Sequence, residues 1–187
     1  MPGKSSCAPQ NCNLKVTFDR QRFSMARHFE IERKFLVKRL PAGWKGRLFS
    51  SIVQGYFPIA GKGLEIRLRR KGSHHCITIK SGNGRRRLEE ELPIPKSVFQ
   101  ALWPLTGEAR ISKRRYRIPC HRHTIEMDVY RGPHRGLMTA EVEFDSRRES
   151  RSFQPPNWLG PEITGHREYA NARLARRHGI PHQQNHG

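Results

Sequence analysis

The sequence predicts an α+β, mainly β fold: antiparallel strands closed into a barrel around a charged lumen, with a few flanking helices. Three observations predict it. Apolar and polar residues alternate with period two through seven segments and, more weakly, through an eighth. The gaps between them are short and carry turn residues, such as Lys71-Gly72-Ser73, Ser81-Gly82-Asn83-Gly84 and Arg131-Gly132-Pro133. The polar side of nearly every segment is charged, with little Ser, Thr or Gln.

In chain order, the strand His28–Val37 sets Glu30, Glu32 and Lys34 against Ile31, Arg33 and Phe35. The weaker candidate is Ser50–Phe57. In Gly63–Lys71, Glu65, Arg67 and Arg69 oppose Leu64, Ile66 and Leu68; in His75–Ser81, Thr78 and Lys80 oppose Ile77 and Ile79. Along Arg85–Ile94, Arg85, Arg87, Glu89 and Glu91 oppose Leu88 and Leu92, with Glu90 breaking the pattern. A helix over Lys96–Leu102 follows Pro95 and places Val98, Leu102 and Trp103 near one face. Arg110–Ile118 puts Lys113, Arg115 and Arg117 on one side, and Thr124–Tyr130 puts Glu126 and Asp128 there. Leu137–Asp145 contributes Glu141 and Glu143. A second helix is expected over Arg167–His178, stopped by Gly179 and Pro181.

Eight of the sixteen acidic residues fall in four i,i+2 pairs: Glu30/Glu32, Glu89/Glu91, Glu126/Asp128 and Glu141/Glu143. One reading is the solvated outer face of a β-sandwich. The other is a barrel whose lumen is charged and whose apolar outside is covered by helices and loops; closure also removes exposed edges. A charged lumen is costly unless wet and mutually neutralised. Two carboxylates at i,i+2 have Cα atoms ~7 Å apart on one face, so their oxygens can converge on one hard cation. Arginine and lysine bind phosphate oxygens. A lumen with both suits a metal-bound polyphosphate.

Composition bounds these readings. At 187 residues the chain suits one domain, which at this size buries ~70% of its surface without disulfides or a structural metal. The net charge of +20 calls for polyanionic partners: phosphates, nucleic acid or an anionic membrane surface. No window approaches the ~18 apolar residues of a membrane span, and the N-terminus lacks the apolar core of a signal peptide, so a cytoplasmic protein is expected. Cys7, Cys12, Cys76 and Cys120 lack a CxxC spacing and read as free thiols. Residues 1–27 read as a disordered basic extension, or as a start-site artefact with translation beginning at Met25; residues 28–179 form the domain and 180–187 a disordered tail.

The ordered charges resemble the CYTH, or triphosphate tunnel metalloenzyme, superfamily. His28-Phe29-Glu30-Ile31-Glu32-Arg33-Lys34-Phe35 carries its Glu-x-Glu-x-Lys signature. Gln54-Gly55-Tyr56, Glu65-Ile66-Arg67-Leu68-Arg69, Thr78-Ile79-Lys80-Ser81, Arg87-x-Glu89-x-Glu91, Lys113-x-Arg115-Tyr116, Glu126-x-Asp128 and Glu141-Val142-Glu143-Phe144 follow in order, over roughly residues 28–175. The chain looks most like the short bacterial members. The resemblance implies an antiparallel eight-stranded tunnel, a Mg²⁺ or Mn²⁺ cofactor and hydrolysis of a triphosphate, inorganic triphosphate first among them. The superfamily alternatives are adenylate cyclisation and thiamine triphosphate hydrolysis; an alternative of another class is a polyphosphate- or RNA-binding module without turnover. No membrane partner is implied, and a homodimer is one option for the oligomeric state.

Carried over by motif, Glu30, Glu32 and Glu143 would bind the principal metal with Glu141 nearby. Glu89, Glu91, Glu126 and Asp128 would serve a second metal or orient water. Lys34, Arg67, Arg69, Lys80, Arg87, Lys113 and Arg115 would grip phosphates, with Arg167 reaching over the tunnel mouth. The implied catalytic set is Glu30, Glu32, Lys34, Lys113 and Tyr56, although Tyr56 equally fits a barrel-rim aromatic. The family's closing Asp-x-Arg-Tyr-x-Asn reads here His166-Arg167-Glu168-Tyr169-Ala170-Asn171, so its acid and arginine are replaced. Cys120-His121-Arg122-His123 and the His182/His186 pair lack the second ligand pair of a zinc site and read as polar loop and tail.

Overall fold

The computed structural model describes residues 31–59, 63–81, 88–177 and 179–181. The predicted N-terminal extension, Glu30, Arg87, and all of the tail beyond Pro181 lie outside the described residues; Pro181 itself is buried. Alternation produces strands where it was expected: β1 Ile31–Val37, β2 Phe49–Tyr56, β3 Leu64–Lys71, β4 His74–Ser81, β5 Leu88–Pro93, β6 Arg110–Cys120, β7 His123–Tyr130 and β8 Met138–Phe144. A ninth strand, β9 Leu159–Glu162, joins them in one antiparallel sheet of order β5-β4-β3-β2-β6-β7-β8-β1-β9. The sheet thus has nine strands rather than eight, and among the described residues its ends, β5 and β9, are not hydrogen-bonded to each other, so the barrel is not closed by a ladder. β9 is a short edge holding Gly160 and Pro161; it pairs with β1 through Phe35–Glu162 and Val37–Leu159 with a register shift between them.

Hairpins join β3 to β4 and β6 to β7. Gly72 opens the first turn with φ 59°, a conformation that side chains with a Cβ rarely adopt. The non-local pairing β2–β6 then joins the two halves of the sheet at its middle, and β1–β8 brings the first strand beside the last ones at one edge.

Alternation sorts the apolar residues into two clusters on opposite faces. Phe35, Tyr116, Ile118, Ile125, Met127, Ala140, Val142 and Phe144 form one, covered by Phe153 and Leu159. Phe153 follows α2 (Arg147–Ser152), whose N-cap Ser146 accepts from the Glu149 N–H at 3.2 Å while the Glu149 carboxylate accepts from the Asp145 N–H at 3.0 Å. The other cluster shares the charged face. Leu36, Tyr56, Ile111, Tyr130 and Leu137 gather at one end of it beneath Ile163, Tyr169, Leu174 and Ala175. This apolar floor, built by the C-terminal segment, departs from the uniformly charged lumen that the strands predict.

Two helix expectations need correction. α1 spans Lys96–Leu102 as expected, but Phe99 is its buried residue, stacked on Trp103 at 5.1 Å, whereas Val98 is exposed. The helix Arg167–His178 does not form as one element. A 3-10 turn, Arg167–Tyr169, is followed by extended Ala170 and a single helical turn, α3 Asn171–Leu174; His178 is outside the described residues. Tyr169 is buried in the floor and the Asn171 side chain accepts from the Tyr130 hydroxyl at 2.7 Å, so both flanks of Ala170 are pinned. Among the described residues no helix is long and apolar enough to cross a membrane, and Cys76 and Cys120 are free thiols.

Gly55 explains part of its motif. A Cβ there would sit 2.7–2.8 Å from the Thr106 side chain, which is buried and fixed: its hydroxyl donates to the Trp103 carbonyl at 2.8 Å and accepts from Arg110 Nε at 2.9 Å. Gly55→Ala is therefore expected to cost about 1–3 kcal/mol through overpacking. Urea titration of the variant checks this; an unchanged midpoint would mean that the 3-10 turn Trp103–Thr106 yields freely.

Candidate active site

Register brings the predicted charges into one band. Across β1, β8, β7 and β6, Glu32 faces Glu143, Lys34 faces Glu141, Glu126 faces Glu141 and Arg115 faces Asp128. The side chains interlock. Arg115 donates to Asp128 Oδ1 and Oδ2, both at 2.7 Å, to Glu141 at 2.9 Å, and also to Glu126. Lys34 pairs with the other oxygen of Glu141 at 2.9 Å and donates to the Tyr169 carbonyl at 3.1 Å, which anchors it to the floor. Lys113 and Asp128, 2% and 0% exposed, form a 2.5 Å ion pair, with the ammonium 5.4 Å from the Tyr130 ring centre.

Burial works against these charges, and the partners decide the outcome. Lys113 is pushed down by burial in spite of Asp128. Arg115 is also buried, yet its hydrogen bonds to Asp128 and the nearby Glu141 and Glu126 hold it protonated well above the usual range. For Glu141, burial is outweighed by Lys34, Lys113 and Arg115, which hold the carboxyl at about 2 instead of the usual 4.5. A carboxyl lowered on folding stabilises the protein fully above its unfolded pKa, and that contribution disappears as pH falls through the folded one. The metal-free protein is thus expected to lose on the order of 3 kcal/mol from Glu141 between about pH 4.5 and pH 2. A Glu141→Gln variant should show a correspondingly flatter stability profile in that window. Denaturant melts at stepped pH measure both, and identical slopes would refute the assignment.

A second network lies across β3, β4 and β5. Arg69 donates to both oxygens of Glu91 at 2.6 and 2.8 Å, and Lys80 pairs with Glu89 at 2.6 Å. Arg67 donates to the Thr78 hydroxyl at 3.1 Å, which donates in turn to Glu91 at 3.2 Å. Between the two networks, on β2, lies buried Gln54, whose Oε1 has no hydrogen-bond partner among the described residues; the same holds for buried Arg67 Nε. Such atoms are costly to leave unpaired, and either water or a polar ligand could satisfy them.

The inorganic triphosphatase of Nitrosomonas europaea is 39% identical over 148 residues, which cover 78% of this chain and 96% of that protein. The inorganic triphosphatase of Acetivibrio thermocellus is 31% identical over 154 residues, covering 79% and 93%. The crystal structure of the inorganic triphosphatase NE1496 matches with a TM-score of 0.65 at 36% identity, covering 80% of this chain and 96% of that one. No protein-family model matches the chain. The chain belongs to the inorganic triphosphatase family. This family is consistent with the CYTH resemblance that the motif order carries.

Against this family frame, the predicted site residues fall into groups. Lys34, Lys113, Arg115, Glu126, Asp128 and Glu141 meet in one network; Arg67, Arg69, Lys80, Glu89 and Glu91 meet in the other. Glu32 and Glu143 are exposed register partners on the same face. Glu30 and Arg87 lie outside the described residues. Tyr56 is buried in the floor facing Arg67, and burial raises its hydroxyl pKa far above the ordinary value, so it stays protonated. Arg167 is exposed in the 3-10 turn. The two replacements in the closing segment pair with each other, His166 with Glu168 at 3.1 Å. Gln54 and Thr78 were assigned no role from sequence; their shared parity with Tyr56 and Lys80 was the available signal.

The donor set fits a hard divalent cation. Among the described residues no three His, Cys, Asp or Glu side chains converge as a ready cage. Mg²⁺ needs none: it keeps several waters and is held through one or two carboxylates together with substrate phosphates. Glu32 opposite Glu143 could supply that pair.

Proposed function

We propose that the chain hydrolyses inorganic triphosphate to diphosphate and phosphate, with Mg²⁺ or Mn²⁺ as cofactor, on the charged face of its sheet. The observation that carries this reading is the interlocked set of Lys34, Lys113 and Arg115 with Glu126, Asp128 and Glu141. Its opposite charges already satisfy one another, so a bare anion must displace carboxylates to reach the bases. A cation-bound triphosphate offers a partner to both signs. We read the face as the inner wall of a tunnel whose floor is the cluster beneath Tyr169 and Leu174.

Glu32 and Glu143, with Glu30 and Glu141, would hold the cation, which when bound supplies charge neutralisation on phosphate oxygens. Glu89, Glu91, Glu126 and Asp128 would serve a second cation or orient the attacking water. Lys34, Arg67, Arg69, Lys80, Arg87, Lys113 and Arg115 would bind phosphate oxygens and stabilise charge on the leaving diphosphate, with Arg167 closing from the turn. Tyr56 fits a positioning role beside Arg67, since burial keeps it neutral. What the named relatives are called supports triphosphate as the substrate.

Phosphate release from triphosphate, ATP, thiamine triphosphate and longer polyphosphate, each with Mg²⁺, Mn²⁺ or EDTA, tests the reading. Release should need the metal and be fastest on triphosphate. Cyclic AMP formation from ATP, or RNA binding without any release, would overturn it.

A further inference from the structure

Lys34 is steered by a carbonyl 135 residues away. A lysine ammonium is a point charge on a flexible stem, with three N–H groups to place. Glu141 takes one at 2.9 Å and the Tyr169 carbonyl a second at 3.1 Å, which leaves the third for a ligand. The segment that carries Tyr169 is tied to the sheet on both sides. Before it, the Ile163 N–H donates to the Lys34 carbonyl at 2.8 Å, and the Thr164 hydroxyl accepts from the Lys34 N–H at 2.9 Å. After it, α3 is a single turn, too short to persist alone. Two side chains from β7 and beyond hold it. The Tyr130 hydroxyl donates to the Asn171 side chain at 2.7 Å. His134, in the 3-10 turn Gly132–His134, is 1% exposed, and its Nε2 donates to the Leu174 carbonyl at 2.8 Å and the Arg177 carbonyl at 3.1 Å. Both acceptors are carbonyls, so Nε2 carries the proton. Nδ1 has no partner among the described residues, so a proton there would be a buried donor without an acceptor, and the ring serves as a neutral donor.

We propose that Tyr130 and His134 are positioning residues of the site: by holding residues 171–177 they hold the Tyr169 carbonyl, and through it they aim the Lys34 ammonium at the bound phosphate. The inference rests on reading Lys34 as a phosphate ligand. A donor preset in direction stabilises transition-state charge without reorganising at the moment of reaction, so the two side chains act on turnover more than on binding. Packing alone does not set this direction. Leu174 is fully buried, but apolar contact is non-directional, whereas the bonds to Asn171, Leu174 and Arg177 fix the turn against β7.

Three variants of the full chain test this. Tyr130→Phe keeps the ring in the floor and beside Lys113 and removes one oxygen. His134→Leu removes the donor, and His134→Gln keeps an amide N–H in its place. On triphosphate with Mg²⁺, well below the lowest melting temperature, Tyr130→Phe and His134→Leu should each lower kcat about tenfold with KM within about twofold. His134→Gln should recover most of that loss. The readout that a looser fold alone would not give is the nitrogen-15 NMR signal of the Lys34 ammonium, identified by its disappearance in Lys34→Arg. It should be present in the unaltered protein, because a held ammonium exchanges its protons slowly. It should shift or vanish in Tyr130→Phe and His134→Leu and return in His134→Gln. No Lys34 signal in the unaltered protein, or an unmoved signal in both deficient variants, overturns the proposal. So does a loss that falls on KM alone, or one that His134→Gln does not relieve. Should His134→Leu fail to fold, Tyr130→Phe decides. If the unaltered protein releases no phosphate from triphosphate, the triphosphatase reading fails, and the ammonium signal still decides whether Tyr130 and His134 position Lys34.

Discussion

Changing Asp128 to asparagine is expected to remove about 3–5 kcal/mol of folding stability, the largest effect of any single change on the charged face. Asp128 is fully buried and accepts three hydrogen bonds, one from Lys113 and two from Arg115. Without its charge, Lys113 sits in the interior without a hydrogen-bonded counter-charge, and Glu141 alone offsets it from a distance. The chemistry makes a second prediction that a merely steric defect would not. Burial already pushes the Lys113 pKa down, and loss of Asp128 pushes it further. A base whose folded pKa lies below its unfolded pKa makes stability rise with pH between the two, because the unfolded chain binds more protons there. The variant should therefore recover part of its stability as pH is raised towards the ordinary lysine range. Adding Lys113→Met should restore part of it at neutral pH, since a pair replaced on both sides costs less than a pair broken on one. Denaturant melts of the single and double variants at several pH values measure this; a pH-independent loss that the second change does not relieve would refute it.

The second large effect is on turnover. Glu32→Gln is expected to lower kcat ~10²-fold or more with Mg²⁺, by analogy with removing one donor that stabilises transition-state charge. Glu32 lies on the exposed part of the charged face opposite Glu143 and carries none of the floor packing. The variant should thus match the melting temperature of the unaltered protein when no metal is present. A metal that binds only the folded state raises the melting temperature, and that rise should shrink in the variant in step with activity. Full activity in Glu32→Gln would remove Glu32 from the metal set, and an undiminished metal-induced stabilisation would do the same.

Much of the site was legible because strands expose their logic every second residue. Lys113/Arg115 and Glu126/Asp128 share a face by spacing alone, and the structure joins them through the β6–β7 register. What spacing does not carry is which charges meet. Arg115 engages acids from both β7 and β8, and that depends on strand order. The floor was hidden for a similar reason. Leu36, Ile111 and Tyr130 keep the parity of Lys34, Lys113 and Asp128, but they become a floor only when Ile163, Tyr169 and Leu174 fold over them. β9 was invisible because Leu159-Gly160-Pro161-Glu162 is short and holds two strand breakers. The helix α2 could have been found: Ser146-Arg147-Arg148-Glu149 spells a capping box, of which the structure forms the Ser146 half while Glu149 accepts from the Asp145 N–H. The single C-terminal helix was a local inference from stop signals, and the buried Tyr169 overrode it.

The pairing of β1 with β8 has a consequence for how the molecule comes into being. Glu32 and Lys34 leave the ribosome early, but their partners Glu143 and Glu141 come near the end of the sheet, and Lys34 also donates to Tyr169, 135 residues later. Contacts this distant in sequence slow folding, because loop entropy is lost before they form. The hairpins β3–β4 and β6–β7 can nucleate locally, whereas the acidic pair cannot form before β8 is made. On the proposed metal assignment, affinity for a cation should therefore appear during synthesis only after β8 has emerged.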